Sequence, residues 1–501
     1  MAENSVLPLC KSSDFLYNKD SIPYFRKDRF CAMRKIAIIG AGSVIFCKTL
    51  ILDILATPSL QETEFALMAP STRRTSQVKE FIDKIIEKEQ LPARVSVTTS
   101  REEALTGASF VILCFKIGGM RAYELDCSIP LRYGVNNCIG DTMGPGGIFR
   151  ALRTIPVIRE VCADIRRCCP DAYVLNYVNP MAMVCWSLGM EGVRFVGLCH
   201  GVQTTLDLIA GYCGVDKKEV DYLCAGINHM GWFLRIQHEG KDLYPLLRSR
   251  FEEPGFYVNE KVRGEVIRNF GYFCTESTGH LSEYLPYFRK NPKALNLYCD
   301  EPGFGGETNA NLVFERHVAE KYSDRLLENE PIELPPRSVE YCSYIIEAMV
   351  TGVPFRFNGN VINSGMITNL PADCCAEGPM QADALGLHRS VVGEIPWHLA
   401  ALNQTNISVQ RLTVQAAYSG DPEDIVHAMA MDPLTSAVCT LGEIREMTGE
   451  MLEAEREWLP QFDGRSLTPK GIISIPADVV RENVPVDPAL AIMARLGEMG
   501  K

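Results

Sequence analysis

The sequence lacks several features that would assign it to a class at once. Basic residues are not in excess, because 50 Lys and Arg stand against 62 Asp and Glu, for a net charge of −12. No basic surface is therefore available to neutralise the phosphates of a nucleic acid. There is no apolar run of about 18 residues, so we expect no membrane span. Low-complexity tracts are also missing, and 47% hydrophobic with 22% charged residues is typical of a globular protein.

A disulfide framework and a signal peptide are missing as well. The 19 cysteines show no regular spacing, and nothing at the N-terminus resembles a secretory leader. We therefore expect reduced thiols in a cytoplasmic protein. Residues 1–33 mix polar and aromatic residues without periodicity, and we interpret them as an N-terminal extension without a catalytic role.

A glycine-rich turn follows the first convincing strand. The apolar segment Lys35–Ile39 leads into Gly40, Ala41, Gly42 and Ser43, and apolar residues then recur at helical spacing. Strand, tight turn and helix N-terminus together form the geometry that holds the pyrophosphate of a dinucleotide. A turn of this kind can also be purely structural, but its place between a buried strand and an amphipathic helix favours cofactor binding by Gly40, Gly42 and Ser43.

The acidic residue that normally ends the second strand and binds the ribose hydroxyls of NAD is absent. Here the strand is followed by Ala69, Pro70, Ser71, Thr72 and Arg73. Ser71 with Arg73 or Arg74 has the chemistry to accommodate the 2′-phosphate of NADP, or these residues belong to a solvated loop. We expect NAD, with NADP as the alternative.

The pattern of strands and helices predicts the fold class and the domains. Residues 34–200 are predicted to form a Rossmann-like, doubly wound parallel α/β sheet that binds NAD. Residues 201–501 are predicted to form a large mixed α+β domain for substrate, metal and oligomerisation. The 501 residues exceed one ordinary core, so we expect two intertwined lobes.

Polar residues follow the predicted strands where ligands bind in open α/β sheets. Asp141 precedes a glycine-rich helix start, which is either a second edge for an anion or sugar or a plain helix N-terminus. Asn179 follows one strand. Cys199 follows the next, and a helix N-terminus at His200 is expected to lower the pKa of the Cys199 thiol.

Cys199 and His229 are candidate metal ligands. Thiolate and imidazole both bind divalent metals, and two protein ligands leave positions for substrate oxygens and water. Most cysteines and histidines are structural, however, and spacing alone does not decide between the two roles.

The chain resembles family 4 of the glycoside hydrolases, the NAD- and manganese-dependent glycosidases, and within that family it resembles the melibiase-like α-galactosidase branch. The resemblance covers about residue 34 to the late 450s. It rests on the segments IAIIGAGS, GDTMGPGGIFRALRTIP, NYVNPMAM, GLCHGVQ, AGINHMGWF, TESTGHLSEYLPYF, NLP and HLAALNQTNISVQRLTVQAA.

The resemblance implies hydrolysis by oxidation and elimination. NAD takes a hydride from C3 of the sugar, a base removes the C2 proton, the glycosidic oxygen leaves C1, water adds, and the hydride returns. This chemistry differs from the two-carboxylate scheme of most glycosidases. A homodimer or homotetramer is also implied, and no partner other than the sugar is expected.

Site residues follow from the same resemblance. Cys199 and His229 match the metal ligands, and Asn179 matches a sugar-binding residue; we add Asn228, Asp141 and His200 to the sugar site, with His200 also a candidate acid. The family's base falls within a variable segment, and Tyr272 is slightly favoured. The full candidate set is Tyr272, Glu276, His280, Glu283 and Tyr284. A tyrosine base has an ordinary pKa of about 10 and needs a nearby cation.

Two positions bear on the substrate. His200 stands where phospho-sugar members carry Asp or Asn, which argues against a 6-phosphate. Gly201 stands where melibiase-like members usually carry Ser, and a glycine there is a feature of uronide-cleaving members, in which it would make room for a carboxylate. The sequence thus predicts an α-galactosidase, with an α-glucuronidase or α-galacturonidase of the same family, or a malate-type dehydrogenase, as alternatives.

Overall fold

The computed structural model of the protein describes residues 33–321, 327, 330–470, 473–485, 487–489, 492, 496 and 497. Apart from Met33, the predicted N-terminal extension lies outside these residues. Within them every cysteine is a free thiol, and no helix is long and apolar enough to cross a membrane.

The strands build one sheet of 13 strands. They are β1 (Arg34–Ile39), β2 (Thr63–Met68), β3 (Arg94–Thr98), β4 (Phe110–Leu113), β5 (Tyr173–Asn176), β6 (Arg194–Gly197), β7 (Val220–Ile227), β8 (Met230–His238), β9 (Lys241–Asp242), β10 (Phe273–Cys274), β11 (Phe355–Ile362), β12 (Cys375–Asp383) and β13 (Gly386–Arg389).

The helices fall into those that follow one of the first six strands, up to the start of β7, and those that come later in the chain. The first group is α1 (Val44–Leu55), α2 (Thr72–Glu89), α3 (Arg101–Leu105), α4 (Gly119–Arg132), α5 (Gly144–Cys168), α6 (Met181–Met190) and α7 (Gly201–Cys213). The second is α8 (Tyr244–Glu252), α9 (Pro254–Tyr257), α10 (Lys261–Phe270), α11 (Thr278–Tyr284), α12 (Pro292–Tyr298), α13 (Ala310–Lys321), α14 (Tyr341–Thr351), α15 (Trp397–Ser419), α16 (Pro422–Met431), α17 (Pro433–Val438) and α18 (Leu441–Ala454).

The first six strands confirm the predicted Rossmann-like fold. They run parallel in the order β3-β2-β1-β4-β5-β6, which is the order of a dinucleotide-binding sheet. Alternate residues of β1 enter different cores: Ile36 and Ile38 pack on one face of the sheet, and Ala37 and Ile39 on the other. Both faces are therefore covered, as a doubly wound sheet requires.

The sheet continues without a break into the second predicted domain. Strand β11 pairs with β6 in antiparallel direction, and β12, β7, β8 and β10 extend the order. The two ranges predicted as separate domains thus share one sheet. The loops that follow β1, β5 and β6 all leave at the carboxyl edge, because the carboxyl ends of parallel strands lie together.

Candidate active site

Three side chains meet where the parallel and antiparallel parts of the sheet join. Cys199 follows β6, His229 occupies the turn between β7 and β8, and Glu276 follows β10. Their ligand atoms all lie within 4.8 Å of one another. The Cys199 Sγ is 3.6 Å from Glu276 Oε1, and His229 Nε2 is 3.8 Å from the same oxygen. We call these three residues the donor set.

Local backbone geometry presents two of the three donors. His229 lies at φ +62° in the two-residue turn of the β7–β8 hairpin, a conformation that histidine and asparagine adopt more readily than most residues. Glu276 lies at φ +72°. Its N–H donates to Thr205 Oγ1 of α7 over 3.3 Å, and the preceding Thr275 N–H donates to Gly231 O of β8 over 2.8 Å.

The charges of the donor set suit a divalent cation. Burial lowers the pKa of His229 to about 4, so the imidazole is neutral at pH 7 and free to bind a metal. Burial alone would raise the pKa of Glu276, but the imidazoles of His229 and His280 hold it below its usual value. A neutral imidazole and a buried carboxylate lie side by side with a thiol.

The predicted lowering of the Cys199 pKa is wrong. Burial raises the pKa of the thiol well above its ordinary value, and the carboxylates of Glu276 and Glu377 raise it further. These effects exceed that of the N-terminus of α7. A divalent cation would reverse the balance, because its charge favours the thiolate over the thiol.

A second layer of charge surrounds Glu276. His280 Nδ1 is 3.5 Å from Glu276 Oε2, and His280 Nε2 is 3.8 Å from Asp141 Oδ1. Arg150 Nη1 donates to Asp141 Oδ2 over 2.6 Å. Burial alone would raise the pKa of Asp141, but Arg150 and His280 hold it well below its ordinary value. Burial opposes the charge on His280, yet Asp141 and Glu276 raise its pKa. The structure therefore brings Asp141 to the edge of the donor set.

The other members of the candidate base set have different surroundings. Glu283 accepts hydrogen bonds from the N–H groups of Cys138, Ile139 and Gly140. Both oxygens of its carboxylate therefore already have hydrogen-bond donors within the protein. The ring of Tyr284 lies 6.1 Å from that of His229, between centroids. Tyr272 packs against Tyr244 and His398, with centroids at 5.7 and 6.2 Å.

The predicted sugar-binding residues lie around the same place. His200 precedes α7, and its Nε2 is 3.2 Å from Glu340 Oε1. Asn179 follows β5 and is half-buried. Asn228 adjoins His229 and is 2% exposed.

Several buried polar atoms near the donor set have no hydrogen-bond partner among the described residues. They are Asp141 Oδ1, Thr142 Oγ1, Arg150 Nε, Asn228 Nδ2 and His229 Nδ1. Buried polar groups are normally paired, so such a cluster indicates a polar ligand. Amides, hydroxyls and carboxylates of this kind are the groups that bind the hydroxyls of a sugar.

Gly201, the first residue of α7, leaves space that Glu276 fills. A Cβ at position 201 would lie 1.9 Å from Glu276 Oε1 and 2.8 Å from its Cδ. In uronide-cleaving members a glycine at this position would make room for a carboxylate of the substrate. Here the carboxylate of Glu276 fills that space.

The Gly40 turn has the shape of a cofactor cradle. Gly40 adopts φ +96°, and a Cβ there would lie 2.6 Å from Phe115 Cβ. Ser43 is the N-cap of α1, is exposed, and makes no side-chain cap hydrogen bond. The first N–H groups of α1 therefore have no side-chain cap at Ser43, as expected of a helix that binds a phosphate.

The second glycine-rich helix start is different. Asp432 Oδ2 accepts a hydrogen bond from Gly144 N–H over 3.1 Å. A Cβ at Gly146 would lie 2.4 Å from Gly140 O, and one at Gly147 would lie 2.4 Å from the Thr142 carbonyl carbon. Of the two interpretations given above, the structure favours a plain helix start, packed tightly and capped by the protein's own carboxylate.

Ser71 and Arg73 lie on the exposed surface at the beginning of α2. The Ser71 hydroxyl accepts a hydrogen bond from Arg73 N–H over 3.4 Å and serves as the N-cap of α2. The Ser71 hydroxyl therefore has a local structural role, whether the cofactor is NAD or NADP.

Sequence reasoning missed Glu377 and Glu340. Glu377 lies in β12 and is 2% exposed. Burial raises the pKa of its carboxyl to about 8, and Glu276 adds to the rise. Asn360 Nδ2 of β11 donates to its Oε1 over 3.2 Å. The available signal was an acidic residue flanked by uncharged residues from Cys375 to Ala382, since buried carboxyls are rare without a specific partner or role.

Comparison with known proteins identifies the family. The sequence profile described as "Family 4 glycosyl hydrolase" matches residues 35–215, and "Family 4 glycosyl hydrolase C-terminal domain" matches residues 224–435. The two matched ranges contain the thiol, the imidazole and the carboxylate that lie at the carboxyl edge of the Rossmann-type sheet. The chain belongs to family 4 of the glycosyl hydrolases, which confirms the resemblance and the predicted class of enzyme.

Relatives and a solved structure agree. The chain is 43% identical to an α-galactosidase of Rhizobium meliloti (strain 1021) over 438 residues, 85% of this chain and 89% of the relative. It is 38% identical to an α-galactosidase of Bacillus subtilis (strain 168) over 434 residues, 86% of this chain and 100% of the relative. A 6-phospho-α-glucosidase from gut microorganisms, solved in complex with NAD and Mn²⁺, shares the fold with a TM-score of 0.70 at 21% identity, covering 85% of this chain and 99% of its own.

Proposed function

We propose that the protein hydrolyses unphosphorylated α-galactosides by NAD-dependent oxidation at C3, elimination across C1 and C2, addition of water and re-reduction. The observation that carries this proposal is the donor set of Cys199, His229 and Glu276 at the carboxyl edge of a nucleotide-binding sheet. Two relatives that are α-galactosidases, at 43% and 38% identity, support the substrate class.

The proposal includes NAD at the Gly40 turn and Mn²⁺ or another divalent cation on Cys199 and His229. NAD would supply a hydride acceptor and donor, and the cation a Lewis acid that polarises sugar oxygens. The open N-terminus of α1 and the neutral imidazole of His229 fit these groups. We favour NAD over NADP, because Ser71 already caps α2.

The sugar would be held by Asn179, Asn228, Asp141 and His200. Asn228 Nδ2 and Asp141 Oδ1 are buried without hydrogen-bond partners among the described residues, so a sugar hydroxyl at each would supply the missing hydrogen bond. Arg150 keeps Asp141 ionised and so able to accept such a bond. His200, paired with Glu340, is the proposed proton donor to the leaving oxygen.

For the base that takes the C2 proton we favour Tyr284 over Tyr272. A tyrosine serves as a base when a cation lowers its pKa, and Tyr284 adjoins the proposed ligand His229 whereas Tyr272 adjoins Tyr244 and His398. We expect Tyr284→Phe to abolish exchange of the C2 proton with solvent while Tyr272→Phe retains it. Equal exchange in both variants would move the role to another residue of the set.

The uronide alternative is disfavoured by Glu276. Its carboxylate occupies the space beside Gly201, and the carboxylate of a uronic acid there would meet a like charge in a buried place. A malate-type dehydrogenase is disfavoured by the family to which the chain belongs.

The test is release of p-nitrophenol from the α-galactoside, the α-galacturonide and the α-glucuronide. The enzyme is first treated with a chelator, and NAD and Mn²⁺ are then added together or singly. We expect p-nitrophenol to be released from the α-galactoside only when NAD and Mn²⁺ are both present. The absorbance that reports NADH should stay constant during the reaction. Preference for a uronide would contradict the substrate, and accumulating NADH without release would indicate a dehydrogenase.

We also propose that the enzyme works in the cytoplasm as a homodimer or homotetramer. The family resemblance supports this assembly, and light scattering coupled to size-exclusion chromatography tests it. A monomeric active enzyme would contradict it.

A further inference from the structure

The space above Gly201 and the position of Glu276 depend on each other. Glu276 Oε1 lies 1.9 Å from where a Cβ of residue 201 would stand, and Glu276 Cγ lies 3.2 Å from it. Any other residue at position 201 would therefore displace the carboxylate, because two heavy atoms do not approach so closely. The same oxygen faces Cys199 Sγ and His229 Nε2.

Glu276 is also held from the backbone side. Its N–H donates to Thr205 Oγ1, and its φ of +72° is one that residues other than glycine seldom adopt. Such a conformation persists only where the surroundings enforce it, and it is often found at functional positions. The side chain is mostly buried, with 14% of its surface exposed.

We propose that Glu276 is a third protein ligand of the cation, and that Gly201 is the residue that admits its carboxylate. This inference rests on the proposed binding of a cation by Cys199 and His229. The complete protein ligand set is then one sulfur, one nitrogen and one oxygen.

A carboxylate ligand changes which metal the site prefers. Thiolate and imidazole alone suit Zn²⁺, whereas carboxylate oxygens suit Mn²⁺. Glu276 thus shifts the site toward Mn²⁺, and Gly201 is the position in the sequence that sets this preference. The role of base remains with the other candidates.

The experiment measures Mn²⁺ affinity from the electron paramagnetic resonance signal of free Mn²⁺ in titrations of the full-length protein without substrate. Glu276→Gln keeps the shape of the side chain and removes its charge. Gly201→Ala leaves the carboxyl group intact but places a Cβ in its space. Gly211→Ala is the matched control, because Gly211 lies in the same helix with no neighbour within 4 Å of its added Cβ. Cys199→Ser tests the underlying site, and thermal melting checks that each variant is folded.

We expect Glu276→Gln and Gly201→Ala each to weaken Mn²⁺ binding roughly ten- to a hundredfold, and Gly211→Ala to leave it unchanged. The double variant should bind no more weakly than the weaker single variant, because both changes remove the same ligand. Competition with Zn²⁺ should show a smaller loss for Zn²⁺ than for Mn²⁺, which a purely structural role would not produce.

Two results would overturn the inference and are distinguishable. If Cys199→Ser abolishes binding while Glu276→Gln and Gly201→Ala bind Mn²⁺ within twofold of the wild type, the inference fails and the proposed function stands. If the wild type binds no Mn²⁺, or if Cys199→Ser binds it as well as the wild type, both fail.

Discussion

Among the described residues, two groups of largely buried ionisable side chains are organised differently. In one, Arg153 of α5 is fully buried between Asp126 of α4 and Glu455, which follows α18. Its Nη1 donates to Asp126 and Glu455 at 2.9 and 2.8 Å, its Nη2 to Asp126, and its Nε to Ile117 O at 3.1 Å. In the other, Cys199, His229 and Glu276 face one another with no side-chain cation at their centre among the described residues.

The difference separates a structural network from a ligand site. All three guanidinium nitrogens of Arg153 have acceptors, and in this group one atom, Glu455 Oε1, has no hydrogen-bond partner among the described residues. The cation of the group is the protein's own guanidinium, so the group joins helices. Around the donor set, by contrast, three buried atoms have no hydrogen-bond partner within the described chain: His229 Nδ1, Asp141 Oδ1 and Asn228 Nδ2. Unpaired buried polar atoms are costly, and a bound cation and sugar would satisfy them.

The largest effect is expected from Cys199→Ser. Loss of the thiolate should remove cation binding and lower hydrolysis by more than the roughly hundredfold that follows loss of a group one step from a metal. The melting temperature should change little, because no structural network depends on this thiol. If the variant hydrolyses α-galactosides at the wild-type rate with Mn²⁺ and NAD present, the donor set is not the ligand site that we distinguish from the Arg153 network.

The reverse pattern is expected from Arg153→Met. It leaves two carboxyl groups buried without their cation, so unfolding should become easier by about 3–5 kcal/mol in chemical denaturation. The folded fraction should bind Mn²⁺ with unchanged affinity. Reduced Mn²⁺ affinity in that fraction would show that the two groups are coupled.

Acid should act on the donor set through His229. Burial lowers the pKa of His229 to about 4 from its ordinary 6.5, so between these values the unfolded chain binds a proton that the folded chain excludes. Acidification in this window therefore favours unfolding. In chelator-treated protein the wild type should lose about 2 kcal/mol more than His229→Gln between about pH 7 and pH 5. Parallel losses in the two proteins would show that His229 titrates normally.

The smallest effect is expected from Ser71→Ala. Loss of the N-cap of α2 should cost about 1 kcal/mol of stability, and NAD affinity should stay unchanged, because this hydroxyl already has a partner. Isothermal titration calorimetry with NAD and with NADP measures the affinity for each cofactor. A large loss of affinity for either cofactor would assign Ser71 to the cofactor site.

The sequence predicted the features that depend on local pattern. The first strand, the Gly40 turn and α1 follow from apolar periodicity. Cys199 and His229 are brought together as predicted, although they lie on different elements.

Features that depend on distant contacts were not predictable. Glu276 belongs to the donor set because β10 pairs with β8, and no spacing in the sequence encodes that pairing. Asp432 caps Gly144 across 288 residues, so the second glycine-rich turn resembled a binding edge. The direction of the Cys199 pKa shift was wrong because burial and two carboxylates, distant in sequence, outweigh the nearby helix.

The most direct test of the central claim is hydrolysis of an α-galactoside in D₂O, with the released galactose examined by NMR at early times. Elimination removes the C2 proton and water later restores it, so we predict one deuterium at C2 in every molecule of product. Galactose released at the full rate with only hydrogen at C2 would contradict the account and indicate direct displacement at C1.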